Sequence, residues 1–85
     1  MDKYVYPAVF AEEEEGYFIN FPDLEGCYTQ GEDLEDGMEM AEDVLALILY
    51  ELEESGKEIP APTPVSDIKV ADGEFTTLIK ADTLE

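Results

Sequence analysis

The sequence predicts an α+β fold in which one helix lies on one face of an antiparallel sheet, in the order β-β-β-α-β. Three observations predict it. Short β-branched and aromatic runs in the first thirty residues are separated by turn residues. A long apolar stripe at helical spacing follows over 33–55. A proline-rich break then precedes a last apolar run, which leaves a helix on one face of a sheet.

Residues 3–11 predict the first strand, because tyrosine, valine and phenylalanine suit a pleated, half-buried surface. Pro7 has no N–H for a ladder, so it belongs at an edge or in a register where that donor would face outward. Glu12, Glu13, Glu14 and Glu15 repel one another, and Gly16 permits the positive φ of a tight turn. A hairpin therefore leads into a second strand at 16–21. Phe21-Pro22-Asp23-Leu24-Glu25-Gly26 breaks that strand with turn chemistry. A third strand at 26–30 completes an antiparallel meander.

The helix is expected over 33–55. Asp33 suits the N-cap, with Asp36 three residues on in a weak capping box. Glu32 and Glu35 lie near the positive end of the dipole. Leu34, Met38, Ala41, Leu45, Ile48 and Leu52 form one stripe. Gly37 costs about 1 kcal/mol relative to alanine, and Ser55-Gly56 supplies the stop. Met40, Val44 and Leu47 widen the apolar face beyond what one helix on a small sheet needs. Either the connector over 56–73 wraps the helix, or another chain covers part of it. Ile59 to Pro64 reads as extended connector. Val65 to Val70 is ambiguous, and Ala71-Asp72-Gly73-Glu74 turns the chain into a final strand at 74–80. The third strand, helix and final strand would form a right-handed crossover if the two strands ran parallel.

Charge narrows the functional classes. There are 23 acidic side chains against four lysines, no arginine, and a net charge of −19. Such a polyanion does not approach a phosphate backbone unaided, so direct nucleic-acid binding is not expected. The charge serves either solubility or a partner of opposite sign. Disorder is not expected, because 45% of residues are hydrophobic and they are patterned. The chain has no histidine, which removes Ser-His-Asp and Cys-His arrangements and imidazole zinc sites. No glycine-rich phosphate loop is present. Cys27 is alone and reads as a small apolar residue. With no disulfide framework, no secretory signal and no 18-residue apolar run, a cytoplasmic address is expected and no membrane contact. The 85 residues suffice for one small domain over 1–85. Leu84-Glu85 reads either as a cloning scar or as the start of a further segment.

Tyr6-Pro7-Ala8-Val9-Phe10, the acidic turn, Gly16 to Leu24 and Gly26-Cys27-Tyr28-Thr29-Gln30-Gly31 resemble the HicB antitoxin family. Leu34-Glu35-Asp36-Gly37 and Ile59-Pro60-Ala61-Pro62 match its pattern as well. The resemblance spans about residues 4–80. Glu25 stands where the family commonly has proline and Gly37 where it commonly has alanine, which loosens the turn and weakens the helix start.

The resemblance implies a toxin-binding domain with a partial ribonuclease H-like fold, and a partner of the HicA type. That partner is a small basic toxin with a double-stranded-RNA-binding-domain fold, and it cleaves messenger RNA with a histidine. Family members form homodimers or larger oligomers and usually carry a DNA-binding segment further on, so the chain as given should neutralise but not repress. The implied protein is an antitoxin, not an enzyme, and needs no cofactor. Acids that could face a toxin's lysines and arginines are Glu12, Glu13, Glu14, Glu15, Asp23 and Glu25, with Leu24 as an apolar neighbour; a solvated hairpin tip is the plainer reading of the first four. Phe21, Pro22, Gly26, Cys27, Thr29 and Gly31 read as structural parts of the family motif, and Tyr4, Tyr6 and Tyr28 as sheet packing. Two other functions are carried: an orphan interaction scaffold without a toxin, and a metal-dependent nuclease using Asp23, Glu42 and Asp43, although their spacing singles out no metal site.

Overall fold

The computed structural model describes residues 3–82. Its elements are β1 (Lys3–Glu13), β2 (Gly16–Asn20), β3 (Tyr28–Gly31), α1 (Leu34–Ser55), a short 3-10 turn (Val65–Asp67) and β4 (Glu74–Asp82). The expected order β-β-β-α-β holds. All neighbouring strands pair antiparallel, in the spatial order β3-β2-β1-β4. With each pair antiparallel, β3 and β4 also run in opposite senses and lie on opposite edges. The parallel crossover weighed from the sequence is therefore replaced: α1 and the connector carry the chain from one edge of the sheet to the other.

Register explains Pro7. The Glu12 N–H donates toward β4, to the Gly73 carbonyl at 3.0 Å. Backbone groups alternate sides along a strand, so the missing N–H of Pro7 would point toward β2. The last β1–β2 pair is Val9–Asn20, so β2 does not reach that far. On the other side β1 pairs continuously with β4, from Lys3–Asp82 to Ala11–Glu74. Pro7 thus sits in a central strand, in a register where no ladder bond is lost.

Tyr6, Ala8 and Phe10 of β1, Ile19 of β2 and Ile79 and Ala81 of β4 point to one face and are buried there with Ala41, Leu45 and Leu49 of α1. The helical seam is Gly37, Ala41, Leu45 and Leu49. Two stripe assignments change accordingly. Leu34 is 47% exposed, and Leu49 is buried where Ile48 was expected, with Ile48 only packed against the margin. Gly37 also takes on a packing role. A Cβ on Gly31 would come within 2.4 Å of the Gly37 Cα, so the two glycines let β3 and α1 approach closely. The helix ends are closed as the sequence suggests. Asp33 Oδ1 accepts from the Asp36 N–H at 2.8 Å, and Asp36 Oδ2 accepts from the Glu32 N–H at 2.9 Å. Gly56 takes φ 72, and the Lys57 N–H reaches back to the Leu52 carbonyl at 3.1 Å.

The connector does not wrap the outer helix: Met40 and Leu47 stay exposed. Instead it ties to the end of the sheet away from the hairpin tip. The Tyr6 hydroxyl donates to the Pro60 carbonyl, and Thr63 donates both its N–H and its hydroxyl to Asp23. The acid run is also divided. Glu12 and Glu13 continue β1, leaving only Glu14-Glu15 as the turn, and Gly16 at φ 129 absorbs the reversal. Leu84-Glu85 lies outside the described residues.

Candidate functional site

Two ends of β2 carry the sequence-derived candidates, and the fold keeps them apart. At one end is the hairpin tip, where Glu12, Glu13, Glu14 and Glu15 are all exposed. Glu13 and Glu15 line an open depression of about 320 Å³ with Tyr17, Gln30, Gly31, Glu32 and Asp36. The fold therefore adds Glu32 and Asp36, from the entrance to α1, to the acids of the tip. Their spacing marks a helix N-terminus; nothing in the sequence shows that β3 carries them back beside the hairpin.

At the other end is the turn over 21–27. Three backbone hydrogen bonds stitch it: Phe21 N–H to Cys27 carbonyl at 3.0 Å, Leu24 N–H to Phe21 carbonyl at 3.1 Å, and Cys27 N–H to Leu24 carbonyl at 3.3 Å. Phe21, Leu24 and Cys27 are buried, Pro22 and Glu25 are exposed, and Gly26 supplies φ 75. Asp23 is committed to Thr63, and Leu24 to the core. Of the three acidic-turn candidates, Glu25 alone projects, beside Lys57 in a groove of about 430 Å³. Thr29 is half-buried, and Gly31 is buried against Gly37.

Burial alters the acidity of Cys27 and Tyr6. Burial pushes the Cys27 thiol up to about 11, so it is neutral near pH 7 and a poor nucleophile. Burial, with the nearby Asp23 charge, also raises Tyr6. Among the described residues no group of three or more His, Cys, Asp or Glu side chains is placed to hold a metal ion. Glu42 and Asp43 are exposed on α1, while Asp23 is hydrogen-bonded in the turn. No helix among the described residues is long and apolar enough to cross a membrane.

Charge is distributed unevenly along the fold. The lysines are Lys3, Lys57, Lys69 and Lys80. Between Lys3 and Lys57 there is no basic residue, and sixteen of the 23 acids fall there. That stretch contains the hairpin tip, β2, β3 and all of α1.

Tyr28 is the residue whose environment differs most from its sequence reading. It is 57% exposed, its ring 5.8 Å from that of Phe18. It pairs with Asn20, which pairs with Val9, so it stands on the face of the sheet away from α1. Period-two alternation from buried Cys27 is the signal that could have placed it outward.

Residues 6–82 match the family model described as HicB-like antitoxin of bacterial toxin-antitoxin system. The sequence is 41% identical over 61 residues to Antitoxin HicB 1 of Photorhabdus laumondii, covering 71% of this chain and 39% of that protein. The chain thus spans about two fifths of the length of the curated relatives it matches. Among solved structures, a chain of a toxin-antitoxin complex from Streptococcus pneumoniae superposes with a TM-score of 0.88 at 25% identity, covering 96% of this chain and 71% of that one. A chain of the HicA3 and HicB3 toxin-antitoxin complex shares the fold, with a TM-score of 0.74 at 24% identity over 93% of this chain and 99% of that one.

Proposed function

The chain belongs to the HicB-like antitoxins of bacterial toxin-antitoxin systems, and from that premise we propose that it binds and neutralises a small basic HicA-type toxin that cuts messenger RNA. The observation that carries the reading is the lysine-free span between Lys3 and Lys57, which spreads sixteen acids over the hairpin, the turn over 21–27, the entrance to α1 and α1 itself. A cationic protein surface is the natural complement. Long-range attraction would raise the association rate toward about 10⁸ M⁻¹s⁻¹ from a neutral range near 10⁵–10⁶.

The chain acts by occupation, without chemistry of its own. Its lone thiol is buried and held neutral, and the acids once considered for metal binding are scattered. The ribonuclease H-like kinship implied by the resemblance is then a matter of architecture. Exposure of Glu12 to Glu15 and Glu25 supports them as toxin contacts, whereas Asp23 and Leu24 serve the turn. The antitoxin works in the cytoplasm as a dimer or larger assembly, and the region over 1–85 does not itself bind nucleic acid.

Co-expression with the basic open reading frame beside its gene tests this. The expected result is a stable complex at low salt and an end to RNA cleavage by the toxin. Unimpeded cleavage in the presence of excess chain would point to an orphan scaffold. Metal-dependent cleavage of an RNA–DNA hybrid by the chain alone, lost in Asp23→Asn, would establish the nuclease alternative.

A further inference from the structure

Beside the acidic depression lies a second one of different character. Phe18, Tyr28, Thr29, Gln30 and Met40 line an open groove of about 390 Å³. Gln30 belongs to both depressions, so the apolar groove and the acids Glu13, Glu15, Glu32 and Asp36 are neighbours. The groove runs around the outer edge of β3, from Phe18 and Tyr28 on the open sheet face to Met40 on α1. β3 is an edge strand, and no other segment hydrogen-bonds to its outer side among the described residues. Met40 is 39% and Leu47 56% exposed; with Val44 they recur at steps of four and three along one flank of the helix.

We propose that this β3-edge groove is the seat of the cationic protein partner, which sets an apolar side chain between Tyr28 and Met40 while its lysines or arginines meet Glu13, Glu15, Glu32 and Asp36. This rests on the functional reading above and names the surface it uses. An apolar centre with a charged rim is how protein interfaces divide affinity from specificity: the desolvated anchor holds the partner, and the rim sets rate and register. The unpaired backbone of β3 adds donors and acceptors that an extended segment can satisfy.

Charge decides between the two available occupants. A second copy seated on the same groove would bring another acid-rich surface against these four acids, with no lysine between Lys3 and Lys57 to offset the repulsion. A basic protein turns the same rim into attraction.

The test uses the full chain and the basic toxin encoded beside its gene, the toxin inactivated at its histidine. Affinity is measured for wild type, Tyr28→Asp, Met40→Asp, Tyr28→Phe and Leu78→Asp. Leu78 is 53% exposed on β4, at the opposite edge of the sheet, and reports on an unrelated surface. The three side chains changed, Tyr28, Met40 and Leu78, are exposed, and unchanged melting temperatures verify the fold. The expected result is a loss of about 100-fold or more for Tyr28→Asp and Met40→Asp, with Tyr28→Phe and Leu78→Asp within about threefold of wild type. If wild type binds and the groove variants bind equally well, the inference fails while the antitoxin reading stands. If wild type does not bind, the antitoxin reading fails first. Self-association of wild type that Tyr28→Asp abolishes would give the groove to a second copy and overturn the proposal.

Discussion

The turn at Glu14-Glu15 and the turn over 21–27 sit at the two ends of β2, and they use their side chains in opposite ways. In the first, every carboxylate projects into solvent and only Gly16 answers to the backbone. In the second, Phe21, Leu24 and Cys27 enter the core, and Asp23 is held by Thr63 from forty residues away. Both offer acids that could face a basic partner, although a solvated tip is the plainer sequence reading of the first. The comparison teaches that an acidic residue in a turn can meet a partner only with the oxygens its own fold leaves unused and exposed.

The contrast can be broken by substitution, and the largest effect belongs at the buried end. Leu24→Ala should destabilise the fold by about 2–5 kcal/mol, measured by chemical denaturation. Glu25→Ala next to it should stay within about 0.5 kcal/mol. Equal losses at the two positions would mean that the turn is not anchored through Leu24.

Cys27 sharpens the same point through pH. Its thiol is raised from 9.0 to about 11 in the fold. The neutral form is therefore favoured by folding, and that stabilisation is full below pH 9 and lost as pH rises through about 11. The loss is on the order of 1–3 kcal/mol. Cys27→Ser would flatten that part of the profile, since serine does not titrate there. A wild-type curve already flat from pH 8 to 11 would contradict the burial of the thiol.

Asp23→Ala removes the acceptor for two donors of Thr63 and should cost about 1–2 kcal/mol. Thr63→Ala deletes only the hydroxyl bond and keeps the Thr63 N–H bond, so the double variant should cost about as much as Asp23→Ala alone. Additive losses would show that the two residues are not coupled.

The smallest effect is expected at the exposed end. Replacing Glu13, Glu14 and Glu15 by glutamine leaves the core untouched and relieves like-charge repulsion, so stability should change by about 0.5 kcal/mol or less. A cooperative loss of several times that in thermal unfolding would make the tip a structural element.

Much of this architecture was legible in the sequence because local physics and the final fold agree. Asp33 and Gly56 mark the ends of α1, and the proline run ends any helix. The β-branched and aromatic runs mark strands whose bounds shift by a few residues. Other features depend on what lies across space. Leu49 rather than Ile48 enters the seam because α1 is aimed by the Gly31–Gly37 approach, and no periodicity in α1 alone sets that angle. Pro7 sits in a central strand because β2 is shorter than β1. The acidic depression joins Glu13 to Asp36 only after β3 has returned the chain to the hairpin. The family motif and its turn were readable as residues; which of its side chains enter the core and which bond to Thr63 emerged from the fold.

The association rate of the chain with the proposed basic HicA-type toxin, measured by stopped flow between low and physiological ionic strength, tests most directly whether a folded polyanion captures a cationic protein. Screening lengths shrink to about 8 Å at physiological salt, so the association rate should fall at least tenfold across that range while the dissociation rate changes little. The glutamine-substituted hairpin should start slower and fall less. An association rate indifferent to salt, or no association at all, would contradict the account.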